Sequence, residues 1–162
     1  MKSKILSPMF ILLCIYSSVF AQSKKEIREN KIKTETIFNT KTTDDKEVKD
    51  TYTVYDNNGN VIEKTDYNKD GVIKTTEKHI FSANKNKIEE TLYDAIGKLI
   101  SKTSFVYNSS DEKIGEIDYD GNGNILKQSY TTYDARGFKI EKKIFDGNKK
   151  LISVKKYVYT KR

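Results

Sequence analysis

The residues of this chain best placed for chemistry are oxygen donors in one short stretch. Asp66, Asn68, Asp70, Gly71 and Glu77 follow the order D-x-[DN]-x-[DN]-G-x5-E, the spacing by which a calcium-binding loop presents its ligands. In such a loop the glycine makes the sharp bend and the last acid closes the site with both carboxylate oxygens. The same stretch also has the composition of an ordinary tight turn, flanked by strand-like segments, and Lys69 and Lys74 would bring positive charge beside an ion. A second run, Asp118 to Gly123, copies the first half but carries Ser129 where the closing acid belongs. Calcium is therefore the one cofactor the sequence brings forward.

Catalysis has thinner support. His79 is the sole histidine and lies two residues before Phe81, a spacing that puts both on one face of a strand. No cysteine, second histidine or Ser-His-Asp grouping surrounds it, so packing is the expected role. Glu89 and Glu90 are adjacent and must point to opposite faces, which rules them out as a paired acid and base. No catalytic residue is assigned, and the chain reads as non-enzymatic. Ligand binding has better material in Tyr67, Tyr93, Tyr119 and Tyr130. A row of such rings on a sheet offers flat surfaces for sugars, although regular aromatic columns also serve packing.

These residues belong to a repeat. Phe38, Tyr55, Tyr67, Phe81, Tyr93, Tyr107, Tyr119, Tyr133, Phe145 and Tyr159 follow one another at alternating steps of 12 and 14 from Tyr55 onward, after a first step of 17. A fixed period means one small unit used many times. With each aromatic as position zero, position one is Asp, Asn or Ser, as in Asp56, Asn68, Ser82 and Asp94. Position four is Gly59, Gly71, Gly97, Gly123 or Gly137 in five of eight units, and position seven is Ile, Leu or, once, Lys74. Loops such as Asn58-Gly59 and Asp70-Gly71 predict two-residue hairpin turns in which both central residues accept positive φ. Centred there, the loops pair position zero with position seven, so Tyr55 meets Ile62 and Tyr93 meets Ile100.

The expected fold is all-β: an antiparallel up-and-down meander of about ten strands. Ile62 and Tyr67 are an odd number apart, so aromatic–aliphatic pairs at alternate bends fall on opposite faces. Mid-strand positions such as Glu63-Lys64-Thr65 and Lys127-Gln128-Ser129 are polar on both sides. A closed barrel or sandwich needs one apolar face. The pattern instead predicts an open, twisted single sheet that buries two narrow apolar stripes and is held by neighbouring repeats.

Residues 1–21 read as a cleaved signal peptide, with Lys2 and Lys4, an apolar run to Phe20, and Val19-Phe20-Ala21 before Gln22. Its loss removes Cys14 and Pro8, the only cysteine and proline, so no disulfide staples the mature chain. Residues 22–30 read as a flexible lead-in, and residues 31–162 as the repeat domain, with Lys31 to Phe38 as its first strand. Hydrophobic residues are 36% and charged residues 33% of the chain, too lean for a thick core. The net charge of +7 is interspersed rather than clustered, which disfavours nucleic acid as a partner. Export implies a protein of the periplasm, cell surface or extracellular space, without a membrane span in the mature chain. Its expected partner is an envelope component or a glycan. Lys155, Lys156, Lys161 and Arg162 in the last strand guard against edge pairing, which favours a monomer.

The unit Tyr55-Asp56-Asn57-Asn58-Gly59-Asn60-Val61-Ile62 resembles the YD repeat of RHS-type bacterial surface proteins, as do Tyr93 to Ile100 and Tyr133 to Ile140. The likeness runs over residues 38–159, although the family's arginine after the glycine is here Asn60, Lys98 or Phe138. The chain also resembles short exported repeat proteins of Bacteroidota. The resemblance implies an extracytoplasmic β-repeat, with carbohydrate binding a property of some relatives.

Overall fold

The computed structural model describes residues 23–40 and 46–161. The signal-peptide residues, the bend near Thr43-Asp44 and Arg162 lie outside the described residues. Ten strands form one antiparallel sheet in strict chain order, β1 to β10. They are β1 (Thr34–Thr40), β2 (Glu47–Tyr55), β3 (Val61–Tyr67), β4 (Ile73–Phe81), β5 (Lys87–Asp94), β6 (Leu99–Tyr107), β7 (Lys113–Asp120), β8 (Ile125–Tyr133), β9 (Lys139–Asp146) and β10 (Leu151–Lys156). The meander is open, with β1 and β10 as its two edges.

The bends differ from the expected type. In the first repeat the Gly59 amide donates to the Asp56 carbonyl at 3.0 Å, and the Asp56 amide donates to the Asn60 carbonyl at 2.9 Å. Gly59 has φ 75°, whereas Asn58 is absent from the residues with positive φ. That is a three-residue loop closed by one left-handed residue, not a two-residue loop with two. The same place is left-handed in all eight units: Gly59, Gly71, Lys85, Gly97, Asp111, Gly123, Gly137 and Lys149. One strained φ per bend is a smaller conformational demand than two. It explains why glycine is frequent at position four yet dispensable.

Each of these eight loops is followed by a register shift. Tyr55 pairs with Val61, and Val54 with Glu63, leaving Ile62 as an extra residue. The shift recurs beside Tyr67, Phe81, Tyr93, Tyr107, Tyr119, Tyr133 and Phe145. The backbone partner of each aromatic is thus position six rather than seven. Two residues there oppose one, a bulge that increases the local right-handed twist. Alternation counted along the strand still leaves Ile62 on Tyr55's face and Ile100 on Tyr93's. The ladder also confirms the two-faced arrangement. Tyr67, Tyr93 and Tyr119 share one face, here called face A, and Tyr55, Phe81, Tyr107 and Tyr133 share the other, face B.

Burial corrects the expectation of two buried apolar stripes. Ile100, Leu126 and Ile152 are 43%, 56% and 56% exposed. The sequestered positions are instead short polar residues near strand centres, among them Thr53, Thr65, Thr91 and Ser129. A short side chain flanked by strands on both sides lies beneath the long stems of neighbouring lysines and tyrosines. An aliphatic residue at a bulge, near a row of bends, has no layer above it.

A second correction concerns residues 22–30. They carry a short helix, α1 (Lys24–Glu29), rather than a flexible lead-in. The Glu26 amide donates to Ser23 Oγ at 3.3 Å, and the Ser23 amide donates to Glu26 Oε2 at 2.8 Å. This reciprocal cap is legible as Ser-x-x-Glu. Six residues do not hold a helix alone; docking does. Ile27 is 2% exposed, and a Cβ on Gly59 would lie 2.5 Å from the Lys24 carbonyl oxygen. After the helix, the Tyr55 amide donates to the Lys33 carbonyl at 2.9 Å, so the chain joins the sheet there, and β1 begins at Thr34 rather than Lys31.

The bends make two substitutions separable by urea denaturation. Gly97 has φ 80° and no atom within 4 Å of an added Cβ. Gly97→Ala therefore costs about 1–2 kcal/mol from backbone strain alone, and Lys85→Gly gains up to about 1 kcal/mol by relieving the same strain. A Cβ on Gly121, which lacks positive φ, would lie 2.2 Å from the Leu99 carbonyl. Gly121→Ala should cost about 1–3 kcal/mol through overpacking.

Candidate functional site

The polar side chain at position one shapes all eight described bends of the repeat, and in seven of them it is Asp or Asn, with Ser82 in the eighth. Asp56 Oδ1 accepts the amides of Asn58 and Asn60, both at 2.8 Å. Asn68, Asp94, Asn108, Asp120, Asp134 and Asp146 repeat this pair of bonds. Asp56, Asp120 and Asp134 gain from remaining ionised. The Asn124 side-chain amide leads in holding the Asp120 carboxyl below its ordinary value, and the Phe138 amide leads in lowering Asp134. Partial burial works against ionisation of Asp56, but the Asn60 side chain and the Asn60 and Asn58 amides outweigh it.

This use of position one decides where the calcium-pattern residues go. Asn68 Oδ1 is spent on the Asp70 amide at 2.9 Å and the Val72 amide at 3.0 Å. Asp66 pairs with Lys64 at 3.0 Å. Glu77 lies in β4 opposite Lys64, three places along the ladder from the bend, and its Oε1 contacts His79 Nε2 at 2.5 Å. Asp70 sits in the bend itself. Asp66, Asn68, Asp70 and Glu77 are therefore not gathered around one point, because the hairpin runs straight where a helix–loop–helix would curl back.

Tyr67, Tyr93 and Tyr119 do share face A, and each ring carries a lysine. Lys49 stands 5.8 Å from Tyr67's ring centre, Lys78 5.9 Å from Tyr93's and Lys102 5.5 Å from Tyr119's. Such contacts contribute about 0.5–1 kcal/mol at exposed positions. Tyr130 is different: its ring is 50% exposed, meets Phe145 edge-on at 5.9 Å, and its hydroxyl donates to Gln128 Oε1 at 3.0 Å. Gly115 lies beside it in the ladder, with Val106 on the far side. Val106 is 47% exposed and lies close to Gly115, where an added Cβ would come within 3.2 Å of Val106 Cβ.

Face B spends its tyrosines on structure. Tyr107 and Tyr133 donate their hydroxyls to the Lys87 and Lys113 carbonyls at 3.0 and 2.9 Å, stitching one bend to the previous bend on the same row. Tyr55 donates to Glu35 at 2.8 Å. Burial, with Glu35 beside it, pushes the Tyr55 phenol up to about 12, and burial raises Tyr133 as well, so both remain donors.

The residue that sequence reading left without company is His79. Its Nδ1 lies 3.0 Å from the Val61 carbonyl oxygen. Its Nε2 lies 2.5 Å from Glu77 Oε1 and 3.7 Å from Glu90 Oε2. Glu90 is its direct cross-strand partner and also bonds Lys87. Glu89 pairs with Ile80 instead, on the opposite face as expected. The signal that finds this cluster is register, since Glu77 is two residues from His79 and Glu90 lies across a bend whose length must be known.

No family model matches the chain, and no curated protein matches it. Among solved structures, a protein of unknown function from Bacteroides fragilis NCTC 9343 is similar at 14% identity and TM-score 0.44, covering 80% of this chain and 96% of that one. TarM is similar at 21% identity and TM-score 0.32, over 79% of this chain and 22% of that one. The TcdB2-TccC3-TEV structure is similar at 15% identity and TM-score 0.32, over 78% of this chain. This chain spans about 22% of TarM and 8% of TcdB2-TccC3-TEV. None of these likenesses bears on activity.

The lowered aspartates set an acid limit to stability. Their carboxyls titrate near 3.9 in an unfolded chain and lower in the folded one, so their contribution is present above about pH 4 and is lost as pH falls through the native values. Asp56→Asn, Asp120→Asn and Asp134→Asn together keep the bond-accepting oxygen, as Asn68 and Asn108 show. Thermal melts from pH 6 to 2.5 should therefore show a flatter acid limb in the triple variant. An unchanged limb would assign acid unfolding to other groups.

Proposed function

We propose that this chain is an exported, non-enzymatic repeat protein that acts as an interaction or structural module at the cell envelope. The observation that carries this reading is the uncovered sheet. Large apolar side chains stand exposed on face A, among them Ile80 at 51%, Val106 at 47%, Leu126 at 56% and Tyr130 at 50%. Clusters of exposed apolar residues on a soluble protein mark places where something else binds. The signal-like N-terminus supports export, the YD-type bends support an RHS-like extracytoplasmic repeat, and no helix among the described residues is long and apolar enough to cross a membrane.

Envelope association provides the test. Edman sequencing of the exported product should begin at Gln22. The mature protein should co-sediment with isolated envelope, and Val106→Ser, Leu126→Ser and Tyr130→Ser together should abolish this while leaving the melting temperature within a few degrees. Retention of binding by that variant would remove face A from the proposal.

A second reading, glycan binding on face A, is favoured by Tyr130 in particular. Its ring is half exposed, and its hydroxyl is anchored on Gln128. The rings of Tyr67, Tyr93 and Tyr119 already carry lysines, which a sugar would have to displace. On a glycan array, saturable binding lost in Tyr130→Ala supports recognition. Silence across the array leaves the protein-contact reading standing.

A further inference from the structure

We propose that Glu77, His79 and Glu90 form a binding site for a divalent transition-metal ion, with zinc the ion that fits the donors best. The cluster joins β4 to β5 on face B, next to α1 and away from the tyrosines of face A. One ligand atom from each residue lies within 4.8 Å of the other two.

The argument starts from the histidine. The Val61 carbonyl can only accept, so at 3.0 Å His79 Nδ1 must carry a hydrogen and donate it. In the neutral ring Nε2 then presents a lone pair, and it does so 2.5 Å from a carboxylate oxygen of Glu77. Two lone pairs at that distance require a cation to mediate them, either a proton or a metal ion. A carbonyl clamp on the remote ring nitrogen is also the outer-shell contact that orients metal-binding histidines.

Geometry and donor type then select the ion. Tetrahedral zinc with bonds of about 2.0–2.2 Å places its donors roughly 3.3 Å apart. The two separations from Nε2, 2.5 and 3.7 Å, bracket that value, and the two carboxylates lie within 4.8 Å of each other. Two carboxylates balance the double charge, and one imidazole with two carboxylates matches zinc's donor preference. Calcium and magnesium prefer an all-oxygen shell of higher number. His79 also lines the groove formed with Lys24, Tyr55, Phe81 and Lys87, from which water would complete the shell. Lys87 is the built-in competitor, because its ammonium already bonds Glu90.

His79 is the chain's only histidine, which makes the test clean when the mature protein is prepared without a histidine tag. Titration calorimetry and thermal melts with zinc chloride should show saturable binding of one ion per chain and a raised melting temperature, with no comparable response to calcium or magnesium. His79→Ala, Glu77→Gln and Glu90→Gln should each weaken zinc by at least about tenfold. Lys87→Met should tighten it severalfold by removing the competitor. That variant separates a metal site from an ion-paired network, which would instead lose stability without gaining affinity. No zinc response up to millimolar concentration, a zinc response that survives His79→Ala, or weaker binding in Lys87→Met would each overturn the proposal.

Discussion

Eight bends of this sheet each depend on one residue in the left-handed conformation, held three residues earlier by an Asp or Asn side chain in seven of them and by Ser82 in the other. Position one accepts two backbone amides, or one where it is Ser82, position four takes positive φ, and a bulge follows two residues on. Together these set the register of the next strand. A one-residue slip would move every side chain to the other face, so repeating one turn geometry eight times makes a ten-stranded ladder reproducible with almost no core. The tolerance of Lys85, Asp111 and Lys149 at the strained place shows that the hydrogen bonds, rather than glycine alone, enforce the bend.

The consequence is a sheet held from strand to strand instead of from layer to layer. Among the described residues the buried hydrophobic ones are Val48 in the sheet and Ile27 in α1. The interior of the sheet consists of threonine and serine under a canopy of lysine, glutamate and tyrosine, with cross-strand ion pairs such as Lys78–Glu63, Lys102–Glu89 and Lys127–Asp118. Each exposed pair contributes little by itself, but together they specify neighbours and keep the mid-sheet surface wet. Apolar side chains are displaced to the rows of bends, where they remain open to solvent and to partners.

The same ladder creates chemistry that no contiguous motif contains. The calcium-like spacing around Asp66 belongs to a bend that turns its oxygens inward to the backbone. The most convergent donor set, Glu77 with His79 and Glu90, is spread over two strands. The spacing of residues within a loop matters less here than which residues a ladder sets opposite each other.

Much of this protein can be read from its residues. The 12 and 14 periods, the Asx at position one and the frequent glycine at position four identify an all-β meander of about ten strands. Polar strand centres exclude a closed barrel and lead to an open sheet with aromatic residues on alternating faces. The tertiary structure decided the rest. Asn-Gly is compatible with both a two-residue and a three-residue loop, and only the φ values and amide bonds at Asp56 and Gly59 distinguish them. Ile27 and the cap at Ser23 mark a helix, but six residues become ordered only once Gly59 offers a surface to dock on. His79 acquires Glu90 only when the bend between them fixes the count of residues. Local hydrogen bonding is written in short sequence patterns, whereas register accumulates over the chain and is settled by how each loop closes.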